Sequence, residues 1–436
     1  MNRLWMFPVL LFAATAALAD NSTMLRLHGS NTIGDKLAPV LVQQWLKFKG
    51  YTQLSVRDTA PDERLVVGRD GKGREFFVEI HAHGSSTAFA DLASGSTDIG
   101  MASRPIKPNE VAALAKLGTM DDVHSEYVIG LDGVAVIVNF DNPIASLDKN
   151  TLRRIFSGEV RDWSQLGGEP GAIRVLARDD KSGTYDTFKS LVLEGTKLTP
   201  GASRYESSVE LVDQVKADPQ AIGFVGLAYT DGVKPLAIAD GGAAIMPESF
   251  SVATEDYALS RRLFLYVPTR GAKSQMAQDF ASFVVSTVGQ LALEPNGFIS
   301  QEIESRIVAL PANVPEEYAQ FTHGARRLSI NFRFDKGMVE LDNKAKRDVK
   351  RLAAFLAKPE NAHRKLMLFG FADSHESLPI KSLVLSVERA DAVAEMLMMN
   401  DLKPYRVRGY GSSLEVASNE SEAGRHRNRR VEVWIQ

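Results

Sequence analysis

Three short segments of the chain combine hydroxyl side chains with glycine in the way that anion-binding turns require. They are Gly29-Ser30-Asn31-Thr32, Gly84-Ser85-Ser86-Thr87 and Lys181-Ser182-Gly183-Thr184. Each stands where a short apolar run gives way to a helical pattern, and the first N–H groups of a helix have no partner within the helix. Two or three such helix starts, together with their hydroxyls, can enclose a tetrahedral oxyanion. The segments therefore predict an oxyanion site.

A guanidinium stands close to the third segment. Arg178 precedes Ser182 by four residues and can bind two oxygen atoms of an anion as a planar fork. The residues before Ala325 carry a net charge of −9, whereas those from Ala325 onward carry 21 Lys and Arg against 15 Asp and Glu, or +6. A net-negative region repels anions at long range, so affinity must come from short hydrogen bonds.

The elements that position these segments form an α/β pattern from Met24 to about Leu310. Buried strands are predicted at Met24 to His28, Phe76 to His81, Val134 to Val138 and Leu263 to Val267. Helices are predicted between them, at Ile33 to Phe48, Ser86 to Ala93, Asp148 to Ile155, Thr184 to Leu193 and Ser274 to Ser286. The three segments then lie at the carboxyl ends of strands.

The rest of the chain reads as an export signal, a linker and a second domain. A basic start, an apolar run from Leu4 to Leu18 and a small-residue cleavage site predict a signal peptide over residues 1–19. The binding region is placed at 20–310, and a proline-containing linker at 311–324. Alternating apolar residues, a helix near Asp342 to Leu356 and a closing strand at Val431 to Ile435 predict an α+β sandwich over 325–436.

Composition excludes several kinds of chemistry. The chain has no cysteine, so disulfides, thiolate metal sites and an N-terminal lipid-modified cysteine are ruled out. It has no Gly-x-Ser-x-Gly motif, and its only histidine pair at metal spacing, His81 and His83, alternates along a predicted strand, where packing explains it. We expect no metal, no cofactor and no enzymatic activity, although a phosphatase is retained as a minor alternative.

From Met24 to about Leu310 the chain resembles the substrate-binding proteins of phosphate ABC transporters. Six segments carry the resemblance: residues 28–32, 84–87, Thr97 to Arg104, Leu131 to Val138, Ile155 to Gly158 with Asp162-Trp163, and Arg178 to Thr184. The resemblance implies a type 2 periplasmic binding protein fold, with two lobes that close on the anion. Phe156 and Trp163 are interpreted as packing residues.

The resemblance also implies which residues bind phosphate. The expected contacts are Ser30, Thr32, Ile33, Ser85, Ser86, Ser103, Arg104, Arg178, Ser182, Gly183 and Thr184. Ser103 stands where some family members have a carboxylate that accepts the proton of hydrogen phosphate, which bears on discrimination against sulfate. For Arg104 and Asp180 an ordinary ion pair is the alternative, and Asp180 could orient Arg178.

The C-terminal part resembles the OmpA-like domain that binds peptidoglycan. Gly370 to Asp373, Leu385 to Ala390, Val407 to Gly411 and Gly424 to Val431 carry this resemblance. It implies that Asp373 binds the ammonium and Arg389 the carboxylate of the diaminopimelate stem. Two residues depart from the pattern, because Glu376 stands where glycine is common and Ser382 where asparagine is common. Arg429 and Arg430 are expected to brace the fold or to neutralise the surface.

Together these observations predict a periplasmic phosphate binder held non-covalently at the cell wall, serving capture, uptake or sensing. Inorganic phosphate, peptidoglycan and an inner-membrane ABC transporter are the expected partners. The alternative is an envelope-structural or surface-adhesion protein with a repurposed binding module. Nucleic acid is not expected, because the basic residues of the C-terminal part are scattered and few aromatic residues accompany them.

Overall fold

The computed structural model describes residues 23–180, 182–311, 313–376 and 378–436. The predicted signal peptide and Lys181 lie outside the described residues. Among the described residues, no helix combines the length and the apolar character needed to cross a membrane.

The first lobe is built on a mixed sheet, whose parallel strands lead at their carboxyl ends into turns and helices. Its elements are β1 (Thr23–Gly29), α1 (Ala38–Phe48), β2 (Thr52–Ala60), β3 (Glu63–Arg69), β4 (Glu75–His81), α2 (Ser85–Ser94), β5 (Ile99–Ala102), α3 (Pro108–Ala113) and β6 (Glu126–Val138). A π-helical turn, Ile33–Leu37, precedes α1. Leu25 and Leu27 of β1 alternate with residues of the other face and pack into the core beneath α1.

The second lobe also alternates strands with helices, and its elements are shorter. It contains β7 (Ser146–Asp148), α4 (Lys149–Ser157), β8 (Arg174–Arg178), α5 (Gly183–Phe188), β9 (Ser203–Tyr205), α6 (Ser208–Ala217), β10 (Ala221–Gly226), β11 (Lys234–Pro235), β12 (Ala237–Ala239) and α7 (Ser249–Ala253). The chain then returns to the first lobe through β13 (Ser260–Tyr266), α8 (Ser274–Val284) and α9 (Thr287–Gln290). Phe156 and Trp163 are buried in the second lobe, which confirms their packing role.

One continuous sheet joins the two lobes. Its strand order is β2-β3-β4-β1-β5-β13-β6-β10-β8-β9, with β11 pairing off β6. β6 pairs with β13 from Glu126 to Gly133 and with β10 from Val134 to Val138. The four strands predicted from sequence correspond to β1, β4, β6 and β13, and the five predicted helices are present within a few residues of the expected bounds.

The C-terminal part forms a five-stranded sheet with helices on both faces. It contains β14 (Ser305–Arg306), α10 (Glu316–Thr322), β15 (Arg326–Arg333), α11 (Asn343–Leu356), β16 (Leu366–Gly370), α12 (Pro379–Met398), β17 (Arg406–Gly409), α13 (Glu422–Asn428) and β18 (Arg430–Ile435). The strand order is β14-β15-β18-β16-β17, so the closing strand β18 is central. Apolar residues of α11 and α12 cover one face of this sheet.

The segment 311–324, expected as a linker, differs from that expectation. Residues 316–322 form α10, and Tyr318 is buried against Phe369, Phe371 and Trp434 on the second face of the sheet. The Tyr318 hydroxyl also donates to Glu432 Oε2 at 2.7 Å. A single buried aromatic residue therefore anchors a helix too short to show clear periodicity in the sequence.

The C-terminal part packs against both lobes. On the first lobe, Asn343 donates to the Asp121 carbonyl at 2.8 Å and Arg347 to the Glu126 carbonyl at 2.7 Å, both from α11. The contacts with the second lobe come from β15 and α13. They are Asn331 to the Thr254 carbonyl at 2.8 Å, Arg333 to Asp256 at 3.1 Å, Arg427 to Asp240, and Lys149 to Ser421 at 3.1 Å. Arg262, next to the lobe junction, pairs with Asp342 at 2.5 Å.

Candidate functional site

The three hydroxyl-rich segments meet where the lobes face each other, in a region called here the anion cleft. The first segment follows β1, the second begins α2 and the third begins α5. Thr32 Oγ1 of the first lobe lies 3.4 Å from Thr184 Oγ1 of the second. Ser85 Oγ lies 3.1 Å from Ser103 Oγ, which follows β5. Four turns that are distant in sequence thus converge, as the three segments predicted.

Gly183 fits the anion cleft because it lacks a side chain. A Cβ atom at this position would lie 2.2 Å from Ser103 Oγ and 2.9 Å from Ser85 Oγ. Such distances are shorter than van der Waals contact, so glycine lets the α5 turn of the second lobe approach the first. The backbone at the start of α5 is therefore presented directly to the hydroxyls of the opposite lobe.

Several of the predicted hydroxyls hold the turns themselves. Ser182 Oγ accepts from the Tyr185 N–H at 3.4 Å and caps α5, and Ser30 Oγ accepts from the Ile33 N–H at 3.4 Å. Ser85 Oγ accepts from the Ser103 N–H at 3.0 Å. All of these side chains are buried, and each hydroxyl retains further capacity for hydrogen bonding.

Arg178 is buried and lines a cavity of about 360 Å³. Thr32 and Thr184 line the same cavity. The guanidinium donates to the Tyr205 carbonyl at 3.2 Å, to the Glu206 carbonyl and to Ser208 Oγ. Burial lowers the pKa of Arg178 from its ordinary value, which still leaves it cationic at neutral pH. A fixed, desolvated cation of this kind stabilises a bound anion more strongly than an exposed one.

A second arginine, Arg261 of β13, belongs to the anion cleft and was missed by sequence reasoning. Its Nη2 lies 3.1 Å from both Thr32 Oγ1 and Thr184 Oγ1, so it touches hydroxyls of both lobes. Its Nη1 is buried and has no hydrogen-bond partner. Asp132 of β6 is fully buried and holds the guanidinium through contacts of 2.5 and 3.0 Å.

Two signals in the sequence could have found this pair. Arg261 lies on the same face of β13 as the buried Leu263 and Leu265, because residues two apart on a strand share a face. An apolar side chain is expected at such a position. Asp132 interrupts the apolar run of β6. A charge on the buried face of a strand is almost always paired, so both positions indicated an internal ion pair.

Three predictions for the cleft are not supported by the contacts that the structure shows. Arg104 forms a fork with Glu110 at 2.7 and 2.9 Å, because Glu110 lies in the first turn of α3, only six residues further along the chain. Ser86 is exposed on the outer side of α2, since its neighbour Ser85 takes the inward position. Asp180 accepts from Arg204 at 2.8 Å at the exposed surface, so its observed ion pair is with Arg204 and not with Arg178.

Acidic residues that are more exposed than Arg178 also line this cavity. Asp35, Asp62, Glu206 and Glu210 line it together with Tyr229. Tyr229 donates to Asp35 Oδ2 at 2.8 Å, and burial raises the pKa of Tyr229 above its usual range, so it remains a donor. An acidic entrance repels anions at a distance, in line with the net charge of this region.

The two residues expected to bind the cell wall both have internal partners. Asp373 accepts from Arg429 at 2.9 Å, and both side chains are about 1% exposed. Arg389 forms a fork with Glu376 at 2.6 and 2.9 Å, and the Arg389 side chain is fully buried. Glu376 also accepts from the Gly337 N–H. A carboxylate of the chain thus occupies the guanidinium that was expected to bind the carboxylate of the ligand.

The remaining basic residues of this region brace the fold, as predicted. Arg429 connects Asp373 to the carbonyl of Phe334 at 3.0 Å. Arg430 is fully buried and pairs with Glu432 at 2.7 Å. Neighbouring arginines, Arg327 first, lower the pKa of Glu432 to about 2, although burial opposes the shift.

Known proteins match the two parts of the chain separately. Residues 56–288 match the family described as a PBP superfamily domain, and residues 333–429 match the OmpA family. Protein SphX of Synechococcus elongatus is 31% identical over 240 residues, which cover 52% of this chain and 70% of that protein. The phosphate-binding protein PstS of Staphylococcus saprophyticus is 31% identical over 236 residues, which cover 52% and 72% respectively.

A solved structure agrees with the fold. The ABC-type phosphate transport receptor from Vibrio cholerae covers 63% of this chain and 99% of its own, with a TM-score of 0.50 and 23% sequence identity. The two lobes, the continuous sheet and the cleft between them correspond to the type 2 fold predicted from sequence. The chain therefore belongs to the PBP superfamily, and it carries an OmpA-family domain after its two binding lobes.

Proposed function

We propose that the chain binds inorganic phosphate in the anion cleft. The observation that carries the proposal is the position of Arg261, whose Nη2 contacts Thr32 and Thr184 of opposite lobes while its Nη1 is buried without a partner. A buried cationic donor without an acceptor is costly unless an anion completes it. Phosphate is the natural candidate, since several relatives are named as phosphate-binding proteins.

Binding without catalysis is the better supported role. The cleft offers hydroxyls, backbone N–H groups and two arginines, and within the described residues its serines contact one another or backbone groups and not a histidine base. A phosphatase of the kind considered from sequence needs an activated nucleophile or a metal beside the bound phosphate. Fixed donors around an anion instead suit capture and release by lobe movement.

We further propose that the protein works in the cell envelope after export, where the OmpA-family domain associates with peptidoglycan. The fork between Arg389 and Glu376 makes that association weak as long as it is closed. An inner-membrane ABC transporter is the proposed recipient of phosphate. Under this proposal the wall domain places the receptor, and Glu376 sets how firmly it is held.

Calorimetric titration of the chain from Asp20 to Gln436 tests the binding role. Phosphate, arsenate and sulfate are titrated into the wild type, into Arg178→Ala and into the matched control Arg104→Ala, whose guanidinium is held by Glu110. We expect phosphate to bind the wild type and the control with equal affinity, and Arg178→Ala to lose it. No heat with any of the three anions would exclude the proposal and favour an envelope-structural role.

Sulfate competition in the same titration tests selectivity. Ser103 can donate a hydrogen bond to an oxyanion or accept one from a protonated oxygen, whereas a carboxylate could only accept. We therefore expect sulfate to compete measurably with phosphate. Complete rejection of sulfate would contradict the expectation that the hydroxyl of Ser103 admits a fully ionised oxyanion.

A further inference from the structure

A cluster of histidine and glutamate side chains lies on one face of the first lobe. Register pairs His28 of β1 with His81 of β4, and His81 with Glu63 of β3. Residues paired across neighbouring strands share a face, and so do residues two apart on one strand, which adds Glu79. The ligand atoms of His28, Glu79 and His81 lie within 4.8 Å of one another, as do those of Glu63, His81 and His83.

His28 is the residue in this cluster that packing does not explain. It is 6% exposed, and its Nε2 is buried without a hydrogen-bond partner. Its Nδ1 lies 2.8 Å from Asp91 Oδ2 on α2. A carboxylate can only accept, so Nδ1 carries the proton and Nε2 presents a lone pair. This arrangement, in which a carboxylate orients an imidazole whose other nitrogen is available, is the one that metal-binding histidines use.

The second ring is placed to share an ion with the first. The rings of His28 and His81 are stacked, with centroids 4.1 Å apart and planes inclined by 13°. Two nitrogen ligands of a tetrahedral ion at about 2.0–2.1 Å are roughly 3.3 Å apart, and the ion lies in the plane of each ring, so the half-buried His81 ring must turn out of the stack for both nitrogens to bind the same ion.

We propose that His28, Glu79 and His81 bind one divalent transition-metal ion of the zinc class. Imidazole nitrogen and carboxylate oxygen are ligands that such ions accept, and the set contains no thiolate that would favour Cu(I). The other group of three is less suitable, because Glu63 and His83 already satisfy each other at 2.9 Å. Arg26 on the same face is held by Asp98 at 2.8 Å, which limits its repulsion of an ion.

The position of this site gives the ion a structural effect on the anion cleft. His28 stands two residues before Ser30, and His81 four residues before Ser85, so the ion joins the strands from which two cleft turns emerge. The Gly84 N–H already donates to the Gly29 carbonyl at 2.7 Å between these turns. Metal loading is expected to stiffen this pair of turns and to raise the melting temperature of the protein.

The test is titration of chelator-treated protein, from Asp20 to Gln436, with Zn²⁺ in phosphate-free buffer. We expect one ion per wild-type chain. His81→Ala, which removes the shared ligand, should weaken binding at least 100-fold, and Asp91→Asn, which removes the orienting carboxylate, about 10- to 100-fold. His83→Ala and the remote, exposed His124→Ala should retain wild-type affinity. Co²⁺ should give the visible absorption of a tetrahedral site with nitrogen ligands.

Two results overturn the proposal. One is a wild type that binds no Zn²⁺, and the other is a His81→Ala variant that binds as well as His124→Ala. Loss of binding in His83→Ala but not in His28→Gln would move the ion to the second group of three and reject the assignment made here. If His81→Ala is unfolded by circular dichroism, His28→Gln decides in its place. Phosphate is absent throughout, so failure of the proposed phosphate binding would not affect the outcome.

Discussion

The anion cleft and the Asp373–Arg389 region contain residues that resemble known binding motifs, but their charges are partnered differently. In the cleft, Arg261 contacts hydroxyls of two lobes and keeps one buried nitrogen without a partner. In the C-terminal domain, Asp373 and Arg389 are each closed by a buried group of opposite charge. The comparison teaches that a motif gives the type of a side chain, whereas its neighbours decide whether it is available to a ligand.

The largest effect is expected from removing the guanidinium that serves the cleft. Arg261→Ala leaves the carboxylate of Asp132 buried and uncompensated, which should destabilise the protein by about 3–5 kcal/mol and abolish phosphate binding. Urea unfolding and calorimetry measure the two effects. An Arg261→Ala variant with the stability and affinity of the wild type would show that Arg261 neither stabilises the fold nor binds the anion.

A double variant separates the structural part of that effect from the ligand part. Arg261→Gln combined with Asp132→Asn removes both buried charges and should recover much of the stability. It should not recover phosphate binding, because the cationic donor is still missing. Recovery of binding together with stability would show that Arg261 acts only through the fold.

The next largest effect is expected from lowering the pH, which should destabilise the C-terminal domain before the first lobe. Arg262 lowers the pKa values of Glu255 and Asp342 despite their burial. The pKa of Glu432 is lowered to about 2. Burial lowers the pKa of His426 to about 4. All four groups bind protons more readily when unfolded. Their stabilisation is complete above about pH 6.5 and is lost as the pH falls toward 2, by up to about 1.4 kcal/mol per unit for each group.

In the chain from Asp20 to Gln436, three tryptophans allow the acid transition of each part to be followed separately. Trp45 lies in the first lobe, Trp163 in the second and Trp434 in the C-terminal domain. In variants that retain one of them, with phenylalanine at the other two positions, Trp434 fluorescence should change at a higher pH than Trp45 fluorescence. Coincident transitions would contradict this order and mean that the first lobe loses its structure together with the C-terminal domain.

A smaller effect is expected from opening the closed arginine of the C-terminal domain. Glu376→Gly removes the carboxylate that occupies Arg389, and a ligand carboxylate can then take its place. A charge-assisted hydrogen bond contributes about 1.5–3 kcal/mol, so binding to purified peptidoglycan should tighten about 10- to 100-fold. Sedimentation with peptidoglycan sacculi measures it.

The control is a separate variant that removes one negative charge elsewhere in the same domain. Glu415→Gly removes an exposed loop carboxylate and should leave sedimentation unchanged. If both variants gain equally, the cause is net charge and not the release of Arg389. If neither gains, the closed fork does not limit binding to the wall.

The smallest effect is expected at two predicted cleft residues that point elsewhere. Arg104→Ala should leave the phosphate affinity within about twofold of the wild type, because its guanidinium is held by Glu110, and Ser86→Ala should do the same, since Ser86 is exposed. A tenfold loss in either variant, measured by the same calorimetric titration, would place that residue in the cleft.

Features set by neighbouring residues could be predicted from the sequence, whereas contacts between distant residues could not. The turns at Ser30, Ser85 and Ser182 were found because a capping hydroxyl and a glycine beside an apolar run are local features. The partners of Arg261 and Arg389 were not found, because 229 residues separate Thr32 from Arg261 and the fork with Glu376 depends on how a loop folds back. The fork of Arg104 with Glu110 spans only six residues, but it requires the short helix α3, which was not predicted.

The OmpA-family domain contacts both lobes, and this has a mechanical consequence. α11 contacts the first lobe through Arg347, whereas β15 and α13 contact the second through Arg333 and Arg427. Any separation of the lobes must strain or break one of these sets. Anion binding and the contacts of the OmpA-family domain with the lobes are thermodynamically coupled. An anion that favours joined lobes stabilises these contacts, and the contacts increase the affinity for the anion by the same factor. Under the proposed function, a force that weakens these contacts is expected to lower the affinity for the anion by the same factor.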